Sequence, residues 1–299
     1  KVATAVAVMQ LHARGELDID DPVIRYLPNF STGQQPDPLA RVTIRQLLRH
    51  TSGLPDMIPA LIGWVHYDDE IYNQSEYLQR LLPGYARLRF EPDTRSAYSN
   101  FGYLVLGGVI ESVSGQSYED YITEHILEPA GMDLTNFLYT PEMCKHEAIG
   151  SHPLLSMYTP MLPFLLDMKA LISDRQGLVY WLNRMYLDVT PSSGLIGSSY
   201  DVARFMLTYM NTELLLSEDS KTAMLPNSSH PAGRPLGWSQ YALDERLWLQ
   251  HRGGGPGFAT IMRIYPEESL GIAVMANGTN LPAEKIVETL SNLSWKSEE

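Results

Sequence analysis

The sequence predicts an α+β protein with a mainly helical lobe and a smaller antiparallel sheet lobe. Helical spacing of apolar residues dominates the chain up to about residue 211, and short strand patterns separated by turn residues follow residue 230. A closing helix, residues 283–293, presents apolar side chains to one side. Helices followed by a meander and a covering helix indicate two lobes, which we place at residues 1–229 and 230–299.

The helical lobe is predicted to contain six segments, which cover residues 1–14, 42–50, parts of 56–91, 99–114, 117–129 and 199–211. Gly15, Gly115 and Gly131 follow three of these segments, where glycine commonly closes a helix in a left-handed conformation. Residues 139–190 are rich in Met, Leu, Tyr and Pro and show no clean period. We interpret them as helical excursions that form a roof over a cleft. Their apolar composition suits the lining of such a cleft and an ordinary protein core equally well.

The sheet lobe is predicted from four short stretches rich in aromatic and β-branched residues, namely 237–243, 246–251, 259–265 and 270–277. Pro266-Glu267-Glu268-Ser269 lies between the last two stretches and is predicted to be a hairpin loop. Strands joined by such short connections pair antiparallel.

Composition excludes several classes of function. The chain of 299 residues is 44% hydrophobic and 19% charged, which is typical of a globular protein. Its formal net charge of -13 argues against a nucleic-acid partner, and no apolar run is long enough for a membrane span. The single cysteine, Cys144, excludes an internal disulfide, and the eight histidines lack metal-ligand spacing, so we expect no metal or other cofactor.

The chain opens on Lys1 already inside a helical pattern, without an initiator methionine or a helix cap. We therefore expect that an N-terminal part is absent from this sequence. No secretory signal is visible, so localisation stays open, with a periplasmic or extracellular setting slightly favoured.

The triplet Tyr98-Ser99-Asn100 is the most informative stretch of the sequence. It places a phenol and a carboxamide at the start of an apolar helix, where a rigid support would suit proton transfer. The alternative is a capped core helix that carries an incidental tyrosine. Taken alone, the triplet favours neither interpretation.

A run of four glycines in five positions, His251-Arg-Gly-Gly-Gly-Pro-Gly257, follows a predicted strand. Glycines let a ligand approach the backbone closely, and we expect their N–H groups to stay free to donate, as an oxyanion requires. The alternative is a wide turn between two strands.

Neither of two other possible signs of a nucleophilic serine is supported by the sequence. No Gly-x-Ser-x-Gly sequence is present. Ser52, in His50-Thr-Ser-Gly53, follows a predicted helix C-terminus, where the negative end of the dipole opposes an alkoxide. We interpret that motif as a structural helix stop.

Together these stretches resemble the serine β-lactamase-like family, in the class C branch with its related esterases and D-Ala-D-Ala carboxypeptidases. The resemblance covers essentially the whole chain and rests on landmarks in family order: the segment from Lys1 to Leu27-Pro28, Leu47–Pro55, Tyr98-Ser99-Asn100, Ser193–Phe205 and the run at His251. It implies a β-lactamase/penicillin-binding-protein-like fold, here without the strands that precede the family nucleophile, and a small-molecule or peptide substrate.

The family reaction is acyl transfer to the serine of a Ser-x-x-Lys motif. Lys1 matches that lysine, which implies a nucleophile three residues upstream, and no other lysine of this chain is preceded by such a serine. By this resemblance Lys1 and Tyr98 share the proton chemistry, and Lys1 is expected to depress the pKa of the phenol. Asn100 is expected to bind Lys1 and the substrate. On the strand, the substrate-binding candidates are His251, Gly253 and Gly254, with Gly254 as an oxyanion donor.

Two departures from the family pattern bear on the substrate. His251 stands where the family has a lysine suited to a substrate carboxylate, which favours an esterase or D-amino-acid peptidase over a true β-lactamase. Arg252 replaces a small residue and either restores positive charge or points to solvent.

Three hypotheses follow. The first is a serine hydrolase whose nucleophile lies upstream of residue 1, so that the 299 residues alone are expected to be inactive. The second is a non-catalytic peptidoglycan- or peptide-binding relative. The third is a structural protein, which predicts no pocket joining Tyr98 to His251.

Overall fold

The computed structural model describes residues 1–30, 32–33, 35–56, 65–85, 87–225 and 234–293. Within them the α-helices are Val2–Ala13 (α1), Ile44–Leu48 (α2), Gln74–Tyr85 (α3), Asn100–Ser114 (α4), Tyr118–Ile122 (α5), Leu162–Leu165 (α6), Met168–Leu171 (α7), Ser199–Asn211 (α8), Glu218–Met224 (α9) and Ala283–Ser291 (α10). The strands are Val65–His66 (β1), Ser151–Pro153 (β2), Ile172–Gln176 (β3), Val179–Leu182 (β4), Tyr186–Leu187 (β5), Ser239–Leu243 (β6), Arg246–Gly255 (β7), Phe258–Tyr265 (β8) and Leu270–Ala276 (β9).

Helix α1 lies at the centre of the helical lobe. Its residues from Thr4 to Met9 are all buried, or nearly so, and the helix packs against α4 and α5. A helix that is apolar on all sides is stable only when neighbours cover every side. The main core therefore surrounds α1, and this burial fixes the position of Lys1 at its N-terminal end.

The four predicted strands form one antiparallel sheet in the order β6–β7–β8–β9, and the loop predicted at residues 266–269 connects β8 to β9. Ile264 and Leu249 belong to the core of the helical lobe, whereas Ile261 and Ile272 pack with Val287 of α10. Both faces of the sheet are thus covered. The predicted α+β fold is confirmed; the lobe boundary predicted at residue 230 lies outside the described residues.

The prediction for residues 139–190 was wrong in its secondary structure. Besides the four-residue helices α6 and α7, this segment contains a three-stranded antiparallel sheet in the order β2–β4–β3, and β5 pairs with β1. Most of the side chains of β3 are exposed, so these strands lack the alternation of apolar and polar residues that identifies a strand in a sequence. Of the region 56–91, the structure describes α3 and β1, and residues 57–64 and 86 lie outside the described residues.

The segment 189–193 packs closely against helix α4 and lies beside the start of helix α1. A Cβ added at Gly107 of α4 would lie 2.1 Å from the Pro191 ring, so only glycine permits this packing. Thr4 Oγ1 donates a hydrogen bond of 2.7 Å to the Pro191 carbonyl. The carbonyl of Ser192 is thereby placed beside Lys1.

Candidate active site

The triplet Tyr98-Ser99-Asn100 sits at the N-terminus of α4 because Ser99 caps that helix. The Ser99 hydroxyl accepts a hydrogen bond of 3.0 Å from the Gly102 N–H, which is a typical serine cap. Tyr98 therefore precedes the helix, and Asn100 lies in its first turn. This local geometry follows the sequence prediction.

Lys1 contacts both outer members of the triplet. Its Nζ donates a hydrogen bond of 2.6 Å to Asn100 Oδ1 and another to the Ser192 carbonyl, and it lies 5.0 Å from the centre of the Tyr98 ring. Burial lowers the pKa of Lys1 to about 7, and the negative charge of Asp56 opposes that effect. Near neutral pH a large fraction of Lys1 is thus the uncharged amine.

The neutral form of Lys1 is suited to accept a proton. An uncharged amine has two N–H groups and one lone pair, and the two N–H groups match the two acceptors, Asn100 Oδ1 and the Ser192 carbonyl. The lone pair then remains for a proton from a neighbouring hydroxyl. Geometry and protonation state both satisfy what a general base requires.

The prediction that Lys1 depresses the pKa of Tyr98 was wrong. The pKa of the phenol is raised, first by burial and then by the charge of Asp56. A lysine that titrates near 7 supplies little positive charge to stabilise a phenolate, and a carboxylate nearby destabilises it. Tyr98 therefore stays a neutral phenol that can donate and relay a proton.

His50 has a second role besides ending α2. Its backbone takes the left-handed conformation (φ 58) directly after the helix, as predicted for a structural stop. Its ring also lies 4.4 Å from the Tyr98 ring, and its Nδ1 accepts a hydrogen bond from the Ser99 N–H. Burial lowers the pKa of His50 to about 3, so the imidazole is neutral. Ser52 is buried, and its hydroxyl accepts a bond of 3.2 Å from the Leu54 N–H.

The glycine run is part of a strand. Strand β7 continues through Gly255 and pairs with β8, and the turn is confined to Pro256 and Gly257. Because residues of a strand alternate in the side to which their N–H points, the N–H groups of residues 251, 253 and 255 face β8. The expectation that all of these N–H groups are free was therefore wrong.

The N–H of Gly254 points away from β8, toward the side on which β6 ends. Strand β6 pairs with β7 only as far as Gln250, opposite Ser239. Beyond that point no strand among the described residues pairs with this side of β7, along which the N–H groups of Arg252 and Gly254 lie. The register thus leaves Gly254, the predicted oxyanion donor, without a partner among the described strands on that side.

His251 and Arg252 point to opposite faces of the sheet. Burial lowers the pKa of His251 well below its ordinary value, and the positive charge of nearby Lys1 acts in the same direction. Arg252 forms an ion pair of 2.9 Å with Glu284 of α10. The question left open by the sequence is thus answered: Arg252 is paired on the α10 face of the sheet, and His251 is neutral.

The segment 139–190 meets the turn of the β7–β8 hairpin. The Ser151 N–H donates to the Gly257 carbonyl at 3.3 Å, and a Cβ at Gly257 would lie 3.1 Å from the Gly150 Cα. Several large apolar side chains of this segment are exposed, among them Leu155, Met157 and Phe164.

Sequence reasoning missed two groups at the site. Asp56 accepts hydrogen bonds from the backbone N–H and the side-chain Nδ2 of Asn100, at 3.1 and 3.0 Å. A signal for Asp56 existed, since it directly follows the Leu47–Pro55 landmark. Ser192 acts through its backbone carbonyl, which no sequence pattern identifies.

Neither a metal site nor a membrane span emerges from the residues that the structure describes. No three His, Cys, Asp or Glu side chains in those ranges lie together in a metal-binding arrangement. Likewise, no helix among them is long and apolar enough to cross a bilayer.

The β-lactamase family model matches residues 1–293, and the chain belongs to this family of serine hydrolases. Penicillin-binding protein 4* of Bacillus subtilis (strain 168) is 30% identical over 288 residues, which cover 93% of this chain and 59% of that protein. The chain thus spans about three-fifths of the length of that curated relative.

Solved structures agree with this assignment. The penicillin-binding protein homologue from Pyrococcus abyssi has a TM-score of 0.71 and 25% identity, and the match covers 97% of this chain and 64% of that one. The D-amino acid amidase from Ochrobactrum anthropi SV3 has a TM-score of 0.76 at 20% identity, covering 97% and 82%. The latter likeness concerns the fold, which is the β-lactamase/penicillin-binding-protein-like fold predicted from the sequence.

Proposed function

We propose that this protein hydrolyses an ester or amide by acyl transfer to a serine three residues before Lys1 in the complete gene product. The observation that carries the proposal is the state of Lys1: a buried amine with a pKa of about 7, held by Asn100 and Ser192 and next to Tyr98. A serine one helical turn before Lys1 would lie on the same face of α1. Its hydroxyl proton would then be within reach of the amine.

In the proposed acylation, Lys1 accepts the proton of the serine hydroxyl as the Oγ–carbon bond forms. The oxyanion that develops is stabilised by the N–H of Gly254 on the edge of β7 beyond the end of β6 and by the N–H of the serine. As the bond from carbon to the leaving nitrogen or oxygen breaks, Tyr98 donates its proton to the leaving group and recovers one from Lys1. Water then releases the acyl group by the reverse proton path.

The charge distribution favours a substrate without a carboxylate next to the reacting carbonyl. His251 is neutral, and Arg252 is paired with Glu284 on the α10 face. A carboxylate bound beside His251 would lose its hydration without gaining a fixed cation from that strand. An ester or a D-amino-acid amide, which can lack such a carboxylate, is therefore favoured over a β-lactam, in line with the amidase that shares the fold.

Covalent labelling of the complete protein tests the proposal. A fluorophosphonate or penicillin probe is expected to modify one serine, and mass spectrometry should locate it three residues before Lys1. The rates for a p-nitrophenyl ester, a D-amino-acid amide, a D-Ala-D-Ala peptide and nitrocefin are measured side by side. They should be higher for the ester and the amide than for the peptide and nitrocefin, which both carry a carboxylate near the reacting carbonyl. A residue other than serine at that position in the complete protein would contradict the proposal.

The alternative is a non-catalytic, peptide- or peptidoglycan-binding relative that keeps the cleft without the nucleophile. This alternative predicts that the complete protein binds a peptide ligand but is not labelled by either probe. The same labelling experiment therefore decides between the two.

A further inference from the structure

Residues 50–56 lie along the triplet and hold it by hydrogen bonds. The His50 carbonyl accepts from the Ala97 N–H at 2.8 Å, and His50 Nδ1 accepts from the Ser99 N–H at 3.2 Å. The Ser99 hydroxyl donates to the Pro55 carbonyl at 2.9 Å. Asp56 completes the series through its two bonds with Asn100.

Asp56 decides which way the Asn100 amide points. The two ends of an asparagine amide are nearly equal in shape, so neighbours select the orientation. Asp56 as a carboxylate only accepts hydrogen bonds, which directs Nδ2 of Asn100 toward Asp56 at 3.0 Å and Oδ1 toward Lys1 at 2.6 Å. Reversing the amide would place an oxygen against the carboxylate and an N–H against the Lys1 amine. Both contacts would be repulsive whenever Lys1 is protonated.

Asp56 also supplies negative charge to a site whose other groups are mostly neutral. In the part of the chain that the structure describes, the titratable and charged side chains that face Lys1 or its neighbours are His50, Asp56, Tyr98, Tyr103, Arg234 and His251. Both imidazoles have lowered pKa values and both phenols raised ones, so these four are uncharged near pH 7. The charge of Asp56 acts on Lys1 and raises its pKa against the effect of burial.

We propose that Asp56 is a positioning residue of this site, which fixes the Asn100 amide with its oxygen toward Lys1 and so keeps the Lys1 amine beside Tyr98. The inference rests on the proposed function for its catalytic consequence. Its structural part, the coupling of Asp56 to Lys1 through Asn100, stands on the hydrogen bonds alone.

Two substitutions in the complete protein separate the hydrogen bonds of Asp56 from its charge. Asp56→Asn keeps an oxygen that can accept both bonds from Asn100 but removes the charge, whereas Asp56→Ala removes both. Misplacing a reacting group by about 1 Å can cost about 100-fold in rate. We expect Asp56→Ala to slow fluorophosphonate labelling by about 10-fold or more, and Asp56→Asn to stay within a few-fold of the wild type at its optimal pH.

The pH profile supplies a readout that a purely structural role would not move. Without the charge of Asp56, Lys1 loses its proton more easily, so the rising limb of the Asp56→Asn profile should lie at lower pH than that of the wild type. An unshifted limb in Asp56→Asn together with full activity of Asp56→Ala would overturn the proposal.

A titration that needs no enzymatic activity keeps the inference separate from the proposed function. Carbon-13 NMR of lysine-labelled protein follows Lys1 directly, with its signal assigned by its loss in Lys1→Arg. The pH at the midpoint of the Lys1 titration is expected to be lower in both Asp56 variants than in the wild type. If the wild type resists every acylating probe and the midpoint still falls, the function fails and the positioning role stands. If labelling succeeds and the midpoint does not move, the positioning role fails alone.

Asp201 provides a control, because its carboxylate likewise accepts hydrogen bonds from a backbone N–H and a side chain, namely the Leu134 N–H and Thr135 Oγ1, both at 2.8 Å. Asp201 is buried, whereas Asp56 is partly buried. Asp201→Asn is expected to lower the melting temperature without changing the Lys1 midpoint. If the Asp56 variants also have a lower melting temperature and an unchanged Lys1 midpoint, the role of Asp56 is only structural.

Discussion

Lys1 has surroundings unlike those of a surface lysine. Its amine is buried, bonded to Asn100 and Ser192, and close to the rings of Tyr98 and Tyr103. Burial removes water that would stabilise the ammonium, which lowers its pKa to about 7. At the residue scale, the reactivity that we propose for this site therefore depends on one desolvated amine.

The first prediction concerns the pH dependence that this amine imposes. Because the folded protein lowers the pKa of Lys1, the free base increases as pH rises through about 7. The rate of acylation of the complete protein should therefore rise between pH 6 and 8, with a midpoint near 7, as measured by fluorophosphonate labelling. Lys1→Arg should abolish labelling, since arginine stays protonated.

The exposed Lys169 serves as the control, and Lys169→Arg should keep the wild-type profile. A flat profile from pH 6 to 8 would contradict the role given to Lys1.

The second prediction concerns the Tyr98 hydroxyl. Tyr98→Phe keeps the ring that packs against His50 at 4.4 Å but removes the proton donor. We expect kcat for an amide substrate to fall by about 100-fold or more, with the melting temperature unchanged. Tyr200→Phe, at a tyrosine that is 66% exposed, should have no effect on either measurement. Wild-type turnover in Tyr98→Phe would exclude the phenol from the proton path.

At the scale of elements, the site depends on where strand β6 stops. Because β6 ends opposite Gln250, the rest of β7 has one edge that no described strand covers, and the N–H of Gly254 lies on that edge. An edge strand with free N–H groups can accept a ligand in place of a further strand. Glycine at residue 253 also lets the two strands of the hairpin lie close on the face that carries His251.

The third prediction tests that close packing. A Cβ at Gly253 would lie 2.4 Å from Thr260 Oγ1, so Gly253→Ala should lower the free energy of unfolding by about 1 kcal/mol. The second substitution Thr260→Ala removes the clashing atom and should restore most of this loss. Gly255→Ala, where no atom lies within 4 Å, should be neutral or slightly stabilising in urea unfolding. Equal losses for Gly253→Ala and Gly255→Ala would show that contact with Thr260 is not the cause.

At the scale of the whole molecule, the site is assembled from segments that are far apart in the chain. Helix α1, helix α5 and the segment 189–193 are joined by hydrogen bonds of Thr4 to Tyr118 and Pro191, and of Thr190 to Glu119. Burial raises the pKa of Glu119 to about 7. The stability of the entire lobe is thereby coupled to pH.

The fourth prediction follows from Glu119. Its pKa in the folded state lies above the ordinary carboxyl value of 4.5, so folding favours the protonated form. This contribution is fully present below pH 4.5 and is lost as pH rises through about 7. Glu119→Gln imitates the protonated acid and keeps an acceptor for Thr190. The difference in melting temperature between Glu119→Gln and the wild type should therefore move in favour of the variant as pH rises from 5 to 8.

Glu128→Gln, at an exposed carboxyl, is the control and should follow the wild type across the same pH range. A constant difference between Glu119→Gln and the wild type would show that Glu119 does not titrate there.

Much of the fold could be predicted because several elements carry local signals. The helix from Asn100 to Ser114 has a serine cap at one end and Gly115 at the other, and strands β6 to β9 have turn residues between them. The strands of the segment 139–190 could not be predicted, since their side chains lack the alternation that a half-buried strand usually shows. Asp56 was missed because its meaning depends on a partner that is 44 residues away.

The sequence by itself determined the family and the local geometry of Tyr98-Ser99-Asn100, because a cap and the helix behind it depend on residues a few positions apart. It also placed Lys1, His251 and Gly254 among the candidates. Only the tertiary structure decided that Lys1 is a weak acid near pH 7, that Tyr98 stays protonated and that Arg252 faces α10. Burial and partners set these properties, and the partners of Lys1 lie 99 and 191 residues away along the chain.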